Sequence, residues 1–263
     1  MKFSSLALLF AVVAVSSALA EDPEFTYKSD SDALSPSEWD EGYPMCGGSK
    51  QSPIDITASK LCTSHVPPPL AFTGSCPSYN MTEASDSYMA AVDGGDCIVT
   101  VKGETYNFAQ FHVHTPSEHT INGKAFDGEI HFVHKKADGS AALVIGLFLE
   151  KSNKADTEPA VDIIVDAMSE VTHSTSIPMT LDSYSELLDV YINKSHVYNY
   201  AGSLTTPPCT EFVDWWVIRK PARISSVQFD RIVAILADLE VTDNGNNARP
   251  VQPLNGRTVT TYN

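Results

Sequence analysis

The stretch Gln110-Phe-His-Val-His114, followed by Glu129-Ile-His131, decides how this chain can fold. In a β-strand, residues two positions apart point to the same face, so His112 and His114 face one side together. His131 lies in a second segment, 129–134, in which apolar and polar residues also alternate. If the two segments pair as neighbouring strands, the three imidazoles converge on one point.

Three neutral imidazole nitrogens that leave a fourth position open are the ligand set of a catalytic zinc ion. Gln110 and Glu129 each precede a histidine by two residues and therefore share its face. A metal-bound imidazole usually donates its other N–H to an oxygen, which fixes the ring. Both side chains are placed to supply such an oxygen. The alternative is a histidine-rich polar face without a metal, and the third strand-borne histidine favours Zn²⁺.

The rest of the chain is rich in strand signals. Alternating or continuous apolar runs predict strands over 97–101, 106–113, 129–134, 141–149 and 213–218. An apolar stripe predicts a helix over 161–168. Ser225 and Gln228 resemble a capping box at the start of another helix. The pattern predicts a mainly β protein with a single domain. This domain would contain one large mixed sheet and a few peripheral helices.

Residues 1–20 are typical of a signal peptide. Lys2 precedes a short apolar run, and Ala18-Leu19-Ala20 fits the small-x-small cleavage pattern. The run is too short to span a bilayer comfortably, and no later run is long enough either. The alternative is an uncleaved, buried N-terminal segment. We expect a mature domain over 21–263 that is secreted or delivered to a lumen or periplasm.

Charge restricts the partners of this 263-residue chain. Its formal net charge is −16, and loss of Lys2 with the leader makes it −16 − 1 = −17. Such a charge opposes binding to nucleic acids and anionic membranes, whereas a small neutral substrate is unaffected.

The Asn80 and Asn193 sequons are candidate glycosylation sites.

Longer blocks resemble a known family. Residues 51–56 (QSPIDI), 110–114 (QFHVH), 117–120 (SEHT), 129–131 (EIH) and 202–208 (GSLTTPP) look like the signature blocks of alpha-class carbonic anhydrases, in the family's order. Trp39 and residues 249–254 match as well, and the form is similar to exported bacterial and algal members. The resemblance implies a mostly antiparallel, twisted sheet of about ten strands, with a conical cleft that reaches the metal.

It also implies roles. The activity would be that of a zinc-dependent lyase, in which zinc-bound hydroxide attacks carbon dioxide and forms bicarbonate and a proton. His112, His114 and His131 resemble the zinc ligands, and Gln110 and Glu129 their supporting partners. Thr205 resembles the threonine that accepts a hydrogen bond from the zinc-bound hydroxide. Glu118 resembles the carboxylate that orients this threonine. The residues that match the substrate pocket are Val133, Val144, Leu204, Thr205, Thr206, Val213 and Trp215. His119 and His134 match structural histidines.

The five cysteines form no CxxC pair, and export makes disulfides the expectation. Cys46 and Cys209 match the cysteine pair of exported family members. Among the others, Cys76 and Cys97 both flank strand-like segments, which favours their pairing. Cys62 would then be the odd thiol, and the protein a monomer or a dimer linked through it.

Three points stay open. Fast family members move protons through a histidine whose position falls near Ser87, within a few residues, yet no histidine lies between His65 and His112. A binding or scaffold protein on the same fold is one rival function, although such members typically lack a zinc histidine. A zinc esterase is another, more plausible as a side activity.

Overall fold

A computed structural model describes residues 24–57, 61–154 and 158–263. The predicted signal peptide, residues 1–20, lies outside the described residues. In chain order the elements are α1 (Trp39–Gly42), a 3₁₀ turn (Pro44–Gly47), β1 (Asp55–Ile56), β2 (Leu61–Ser64), β3 (Leu70–Thr73), β4 (Ser78–Glu83), β5 (Tyr88–Val92), β6 (Ile98–Val101), β7 (Glu104–His114), β8 (Thr120–Ile121), β9 (Gly128–Lys135), β10 (Ala142–Ser152), α2 (Pro159–Glu170), β11 (Ile177–Thr180), α3 (Tyr184–Ile192), β12 (Val197–Gly202), β13 (Val213–Ser225), α4 (Ser226–Ala237) and β14 (Val259–Tyr262).

One large sheet organises the molecule. Within the described ranges it has twelve strands, in the order β11-β4-β5-β7-β9-β10-β13-β12-β14-β2, with β6 also paired to β7 and β3 to β6. The β10–β13 and β14–β2 pairs are parallel, and the other pairs of this sheet are antiparallel. The prediction of a mainly β, mostly antiparallel sheet is confirmed, with two strands more than the expected ten.

Strand alternation divides this sheet into two faces. On β10, Leu143, Ile145 and Leu147 belong to a large apolar cluster that also contains the buried residues of α2, α3 and α4. The alternate residues of β10 point to the opposite face, where Val144 and Phe148 belong to a smaller apolar cluster. We call the first the helix face and the second the site face. Because both faces are covered, the central strands are apolar almost throughout.

The helix predictions hold in part. The segment 161–168 lies inside α2, and Ser225 caps α4 by accepting a hydrogen bond from the Gln228 backbone N–H at 3.1 Å. The second half of the capping box does not form, since the Gln228 side chain accepts from Arg231 instead. The sequence analysis missed α3, which Ser183 caps in the same way.

Two disulfides are present. Cys46 is bonded to Cys209 and Cys76 to Cys97, whereas Cys62 is a free, exposed thiol on β2. The first bond ties the N-terminal arm to the loop that follows β12, and the second joins the segments before β4 and β6. Among the described residues, no helix is both long and apolar enough to cross a membrane.

We expect the two disulfides to differ in their contribution to stability. The Cys46–Cys209 bond spans 163 residues and the Cys76–Cys97 bond spans 21. In the chain-entropy description, closing these loops contributes about 5 and about 3.5 kcal/mol. The measurement is urea unfolding of C46A/C209A beside C76A/C97A, a matched control because all four residues are buried. Equal losses in the two variants would contradict the loop-length explanation.

Candidate functional site

The three predicted histidines meet on the site face. His112 and His131 are directly opposite each other in the antiparallel β7–β9 pair, and His114 follows His112 on the same side of β7. Ring centroids are 5.0 Å apart for His112 and His114, 5.3 Å for His112 and His131, and 4.6 Å for His114 and His131. One donor atom from each ring lies within 4.8 Å of the others, an arrangement that could hold a metal ion.

Each ring has an oxygen neighbour on one of its two nitrogens. Nδ1 of His112 is hydrogen-bonded to Gln110 Oε1, and Nδ1 of His114 to the backbone carbonyl of Asn247, both at 2.8 Å. Nε2 of His131 lies 3.1 Å from Glu129 Oε1. The second nitrogen of each ring is left for a shared ligand. Nε2 of His114 is buried without a hydrogen-bond partner in the described part of the chain, as expected for a metal ligand.

Burial favours the neutral form of two of these rings. Burial, and then the neighbouring rings of His114 and His131, hold the pKa of His112 well below its ordinary value. Burial also lowers the pKa of His131, although Glu129 opposes the shift. Neutral imidazole is the form that binds a metal, so these two shifts favour metal binding.

The Glu129 carboxylate is at the centre of a hydrogen-bond network behind the histidines. Its Oε2 accepts from the backbone N–H groups of Glu118 and His119 at 3.0 and 2.9 Å, and its Oε1 lies 2.8 Å from His119 Nδ1. Nε2 of His119 is 2.7 Å from the Tyr200 hydroxyl, which donates to Ser52. Burial raises the pKa of Glu129, but His119 and His131 outweigh it and hold that pKa well below normal.

A glycine makes room for this carboxylate. Gly146 of β10 is directly opposite His131 in the β9–β10 pair. A Cβ at position 146 would lie 2.5 Å from Glu129 Oε1, inside van der Waals contact. The sequence analysis did not single out Gly146, yet a glycine within an otherwise continuous apolar strand is itself a signal of close approach.

His112 and His131 line a cavity of about 250 Å³ whose other lining residues include polar and apolar side chains. Its lining residues are Ala84, Asp86, Ser87, Met89, Gln110, His112, His131, Val133, Lys135, Val144, Leu204, Thr205, Thr206 and Trp215. Four of the five apolar residues that match the family's substrate pocket are among these lining residues. The fifth, Val213, starts β13 and packs in the same apolar cluster as Val133, Val144 and Trp215.

Thr205 and Glu118 are both buried, but no hydrogen bond joins them. Glu118 Oε1 accepts from the Arg249 backbone N–H at 2.9 Å, and Glu118 Oε2 has no hydrogen-bond partner within the described ranges. The Thr205 loop is anchored near both ends: Trp215 Nε1 donates to the Ser203 carbonyl at 2.9 Å, and Cys209 carries the disulfide.

Ser87 does not offer a free hydroxyl to the cavity. It is only 3% exposed, and its Oγ donates to the Val113 carbonyl at 2.9 Å. The neighbouring Asp86 is half-buried, lines the same cavity and accepts a hydrogen bond from Tyr27. Asp86, and not Ser87, therefore presents a titratable group where the sequence analysis looked for a proton-transfer residue.

Comparison with known proteins matches the chain to one family. The model of the eukaryotic-type carbonic anhydrase family matches residues 34–263. Alpha carbonic anhydrase 7 of Arabidopsis thaliana is 33% identical over 99% of this chain and 94% of its own. A carbonic anhydrase of Pectobacterium carotovorum is 31% identical over 97% of both chains. The structure of Photobacterium profundum alpha-carbonic anhydrase superposes with a TM-score of 0.75 at 27% identity, covering 90% of this chain and all of that one.

Gly146→Ala tests whether Glu129 supports metal binding. The added methyl group would displace the Glu129 carboxylate away from His131. Because this carboxylate supports the His131 ring, we expect the affinity for the metal to fall by about 10–100-fold. Competition with a chelator measures this affinity. In the Glu129→Asp background the shorter side chain leaves room, so the same alanine should cost little further affinity. Equal losses in both backgrounds would mean that the alanine disturbs β10 itself.

Proposed function

The chain belongs to the eukaryotic-type carbonic anhydrase family, and we propose that it catalyses the reversible hydration of carbon dioxide to bicarbonate and a proton. The observation that carries this proposal is the convergence of His112, His114 and His131 at a cavity with one apolar side. We propose Zn²⁺ as the ion that these three rings hold, since three histidines with an open fourth position are its catalytic ligand set.

Zn²⁺ in such a site lowers the pKa of water from about 15.7 to about 7 and so supplies hydroxide near neutral pH, an effect for which carbonic anhydrases are the type example. The chain's own residues prepare that chemistry. Gln110, Glu129 and the Asn247 carbonyl fix the orientation of the three rings before the ion arrives. Preorganisation of this kind raises both affinity and the basicity of the ligands.

The apolar side of the cavity suits the substrate. The side chains of this wall, those of Val133, Val144, Leu204 and Trp215, carry one hydrogen-bonding group between them, the indole N–H, and it already donates to the Ser203 carbonyl. Carbon dioxide has no net charge to hold, so an apolar surface beside the metal site binds it by excluding water. The polar side remains available for the attacking oxygen.

Thr205 and Glu118 are proposed to orient that oxygen. Glu118 Oε2 is a buried acceptor without a hydrogen-bond partner among the described residues, and it lies 3.6 Å from His114 Nε2. The Thr205 hydroxyl is proposed to become its donor. Once the threonine proton is committed to the carboxylate, its oxygen can only accept from the attacking hydroxide. That leaves a lone pair of the hydroxide facing the substrate carbon. The backbone N–H of Thr205 is proposed to hold the substrate oxygen, with Thr206 beside it in the lining.

The rival functions are less well supported. Family members that have lost catalysis typically lack a zinc histidine, whereas His112, His114 and His131 are all present here and lie together. Hydrolysis of activated esters is proposed as a side activity, because hydroxide at the same site attacks any electrophile that fits the cavity. Assaying carbon dioxide hydration and ester hydrolysis on one preparation ranks the two.

We also propose that the chain is exported by the signal peptide over residues 1–20. Two disulfides support this, because they are typical of proteins from oxidising compartments. Asn193, exposed at the end of α3, is the better glycosylation candidate, since Asn80 lies half-buried in β4 between β5 and β11. The exposed thiol of Cys62 is a candidate for linking two chains.

Replacing His112, His114 or His131 with alanine should abolish both stoichiometric zinc binding and hydration, because two rings cannot complete the ligand set. Metal analysis and a hydration assay before and after chelation measure the two effects. His65→Ala is the control, since His65 is exposed and outside the site. A His131→Ala protein with full activity would refute the proposed site.

Thr205→Ala should retain zinc but slow hydration by about 10²–10³-fold, the usual loss when one preorganised hydrogen bond to the reacting atoms is removed. Thr205→Ser keeps the hydroxyl and should retain most of the rate. The hydration rate and the metal content of the two variants are compared side by side. If alanine and serine behave alike, the hydroxyl has no part in catalysis.

A further inference from the structure

Every hydration turnover leaves a proton that must reach solvent. The overall change is CO₂ + H₂O → HCO₃⁻ + H⁺, so the water that restores the site has to lose one proton per cycle. The titratable residues that line the cavity are Asp86, Lys135, His112 and His131. The two histidines are committed as ligands under the proposed function. Lys135 is exposed at the end of β9, whereas Asp86 is half-buried beside the histidines.

We propose that Asp86 is the proton-transfer residue of this enzyme, carrying the proton from the reacting water to solvent. This inference rests on the proposed function, since it concerns a later step of the same reaction. The carboxylate of Asp86 accepts the proton and becomes a carboxylic acid, and a solvent base then removes that proton and restores the carboxylate. No further reactant is needed.

Asp86 is held in a fixed place relative to the histidines. Asn247 Nδ2 donates to the Asp86 backbone carbonyl at 2.9 Å, and the backbone carbonyl of the same asparagine binds His114. One residue therefore positions both the metal ligand and the proposed proton acceptor. Within the described ranges Asp86 makes no hydrogen bond to the three histidines, so water in the cavity has to bridge them.

The two carboxylate oxygens of Asp86 have different surroundings. Oδ2 accepts from the buried hydroxyl of Tyr27 at 3.4 Å. Oδ1 lies 3.5 Å from the hydroxyl of Ser85, an exposed residue. One oxygen of the carboxylate is therefore next to a buried group and the other next to an exposed one, while the residue itself lines the cavity. A group that receives a proton from the cavity and releases it to solvent needs access to both.

The environment also favours a protonated intermediate. Burial raises the pKa of Asp86, His114 opposes this, and the negative charge of Glu118 raises it further. The net shift is upward, towards the range in which a carboxyl group can hold a proton briefly near neutral pH. Imidazole, with an ordinary pKa of about 6.5, is still better matched to water of pKa about 7. Asp86 should therefore work more slowly than a histidine would and leave turnover dependent on buffer.

The test separates proton release from carbon dioxide attack. We expect Asp86→Asn, which preserves shape and can still accept from Tyr27, to lower kcat in weak buffer by roughly tenfold or more. Its kcat/KM should stay within about twofold, because that ratio reports attack on carbon dioxide. Added imidazole should restore kcat. Asp93→Asn, at an exposed position outside the cavity, is the matched control and should behave as wild type.

A second readout does not depend on activity. Carboxyl ¹³C NMR titration of the metal-free protein, with Asp86→Asn to assign the signal, should show Asp86 titrating above the ordinary aspartate value of about 3.9. An unchanged kcat in Asp86→Asn, or a parallel loss of kcat and kcat/KM that imidazole does not relieve, would overturn the assignment. So would an Asp86 that titrates at or below the ordinary value. A zinc-loaded wild-type protein without hydration activity would instead refute the proposed function.

Discussion

A fully buried carboxylate is the constraint on which the rest of the site depends. Glu129 lies inside the sheet, where moving a charge out of water costs several kcal/mol unless hydrogen bonds replace the lost solvation. Its four neighbours are two backbone N–H groups and the rings of His119 and His131. Those partners fix the turn after β7, the register of β9 and the ring of one ligand together. Shifting the β7–β9 register by one residue would break the three contacts to residues 118 and 119 at once, whereas the contact between Glu129 and His131 lies within β9.

Arg249 extends the same logic to the outer part of the molecule. Its buried guanidinium donates to Gln51 Oε1, the Ser52 carbonyl and the Cys46 carbonyl, at 2.8, 2.9 and 2.9 Å, while its backbone N–H binds Glu118. A segment near the C-terminus thereby joins the N-terminal arm to the carboxylate behind Thr205. The Cys46–Cys209 disulfide connects the same arm to the Thr205 loop from the other side. The arm is thus part of the catalytic framework, although it contains little regular structure.

The sequence predicted that His112, His114 and His131 lie together, because the period of a β-strand is two and the residues around His131 alternate. Tertiary features decided what the sequence did not predict. The register of β7 shifts between Phe108 and Gln110, so Phe108 packs on the helix face although it lies two residues from Gln110. Such a bulge has no signal in the alternation. The His114 partner is a backbone carbonyl, which any residue type at position 247 could supply.

The division of the cavity into two sides follows from the same alternation. On β9, His131 and Val133 are two residues apart and share the site face, and on β10 Val144 and Gly146 lie opposite them. The ligand and the apolar wall are therefore neighbours on the same strands, and they cannot move independently. A loop could present the same residue types, but with a wider range of geometries and a larger loss of conformational entropy on binding. His131 and the apolar wall lie on adjacent rows of one sheet, so the proposed substrate pocket lies beside the proposed metal site without any closing motion. Removal of the proton is then the step that needs a separate route to solvent.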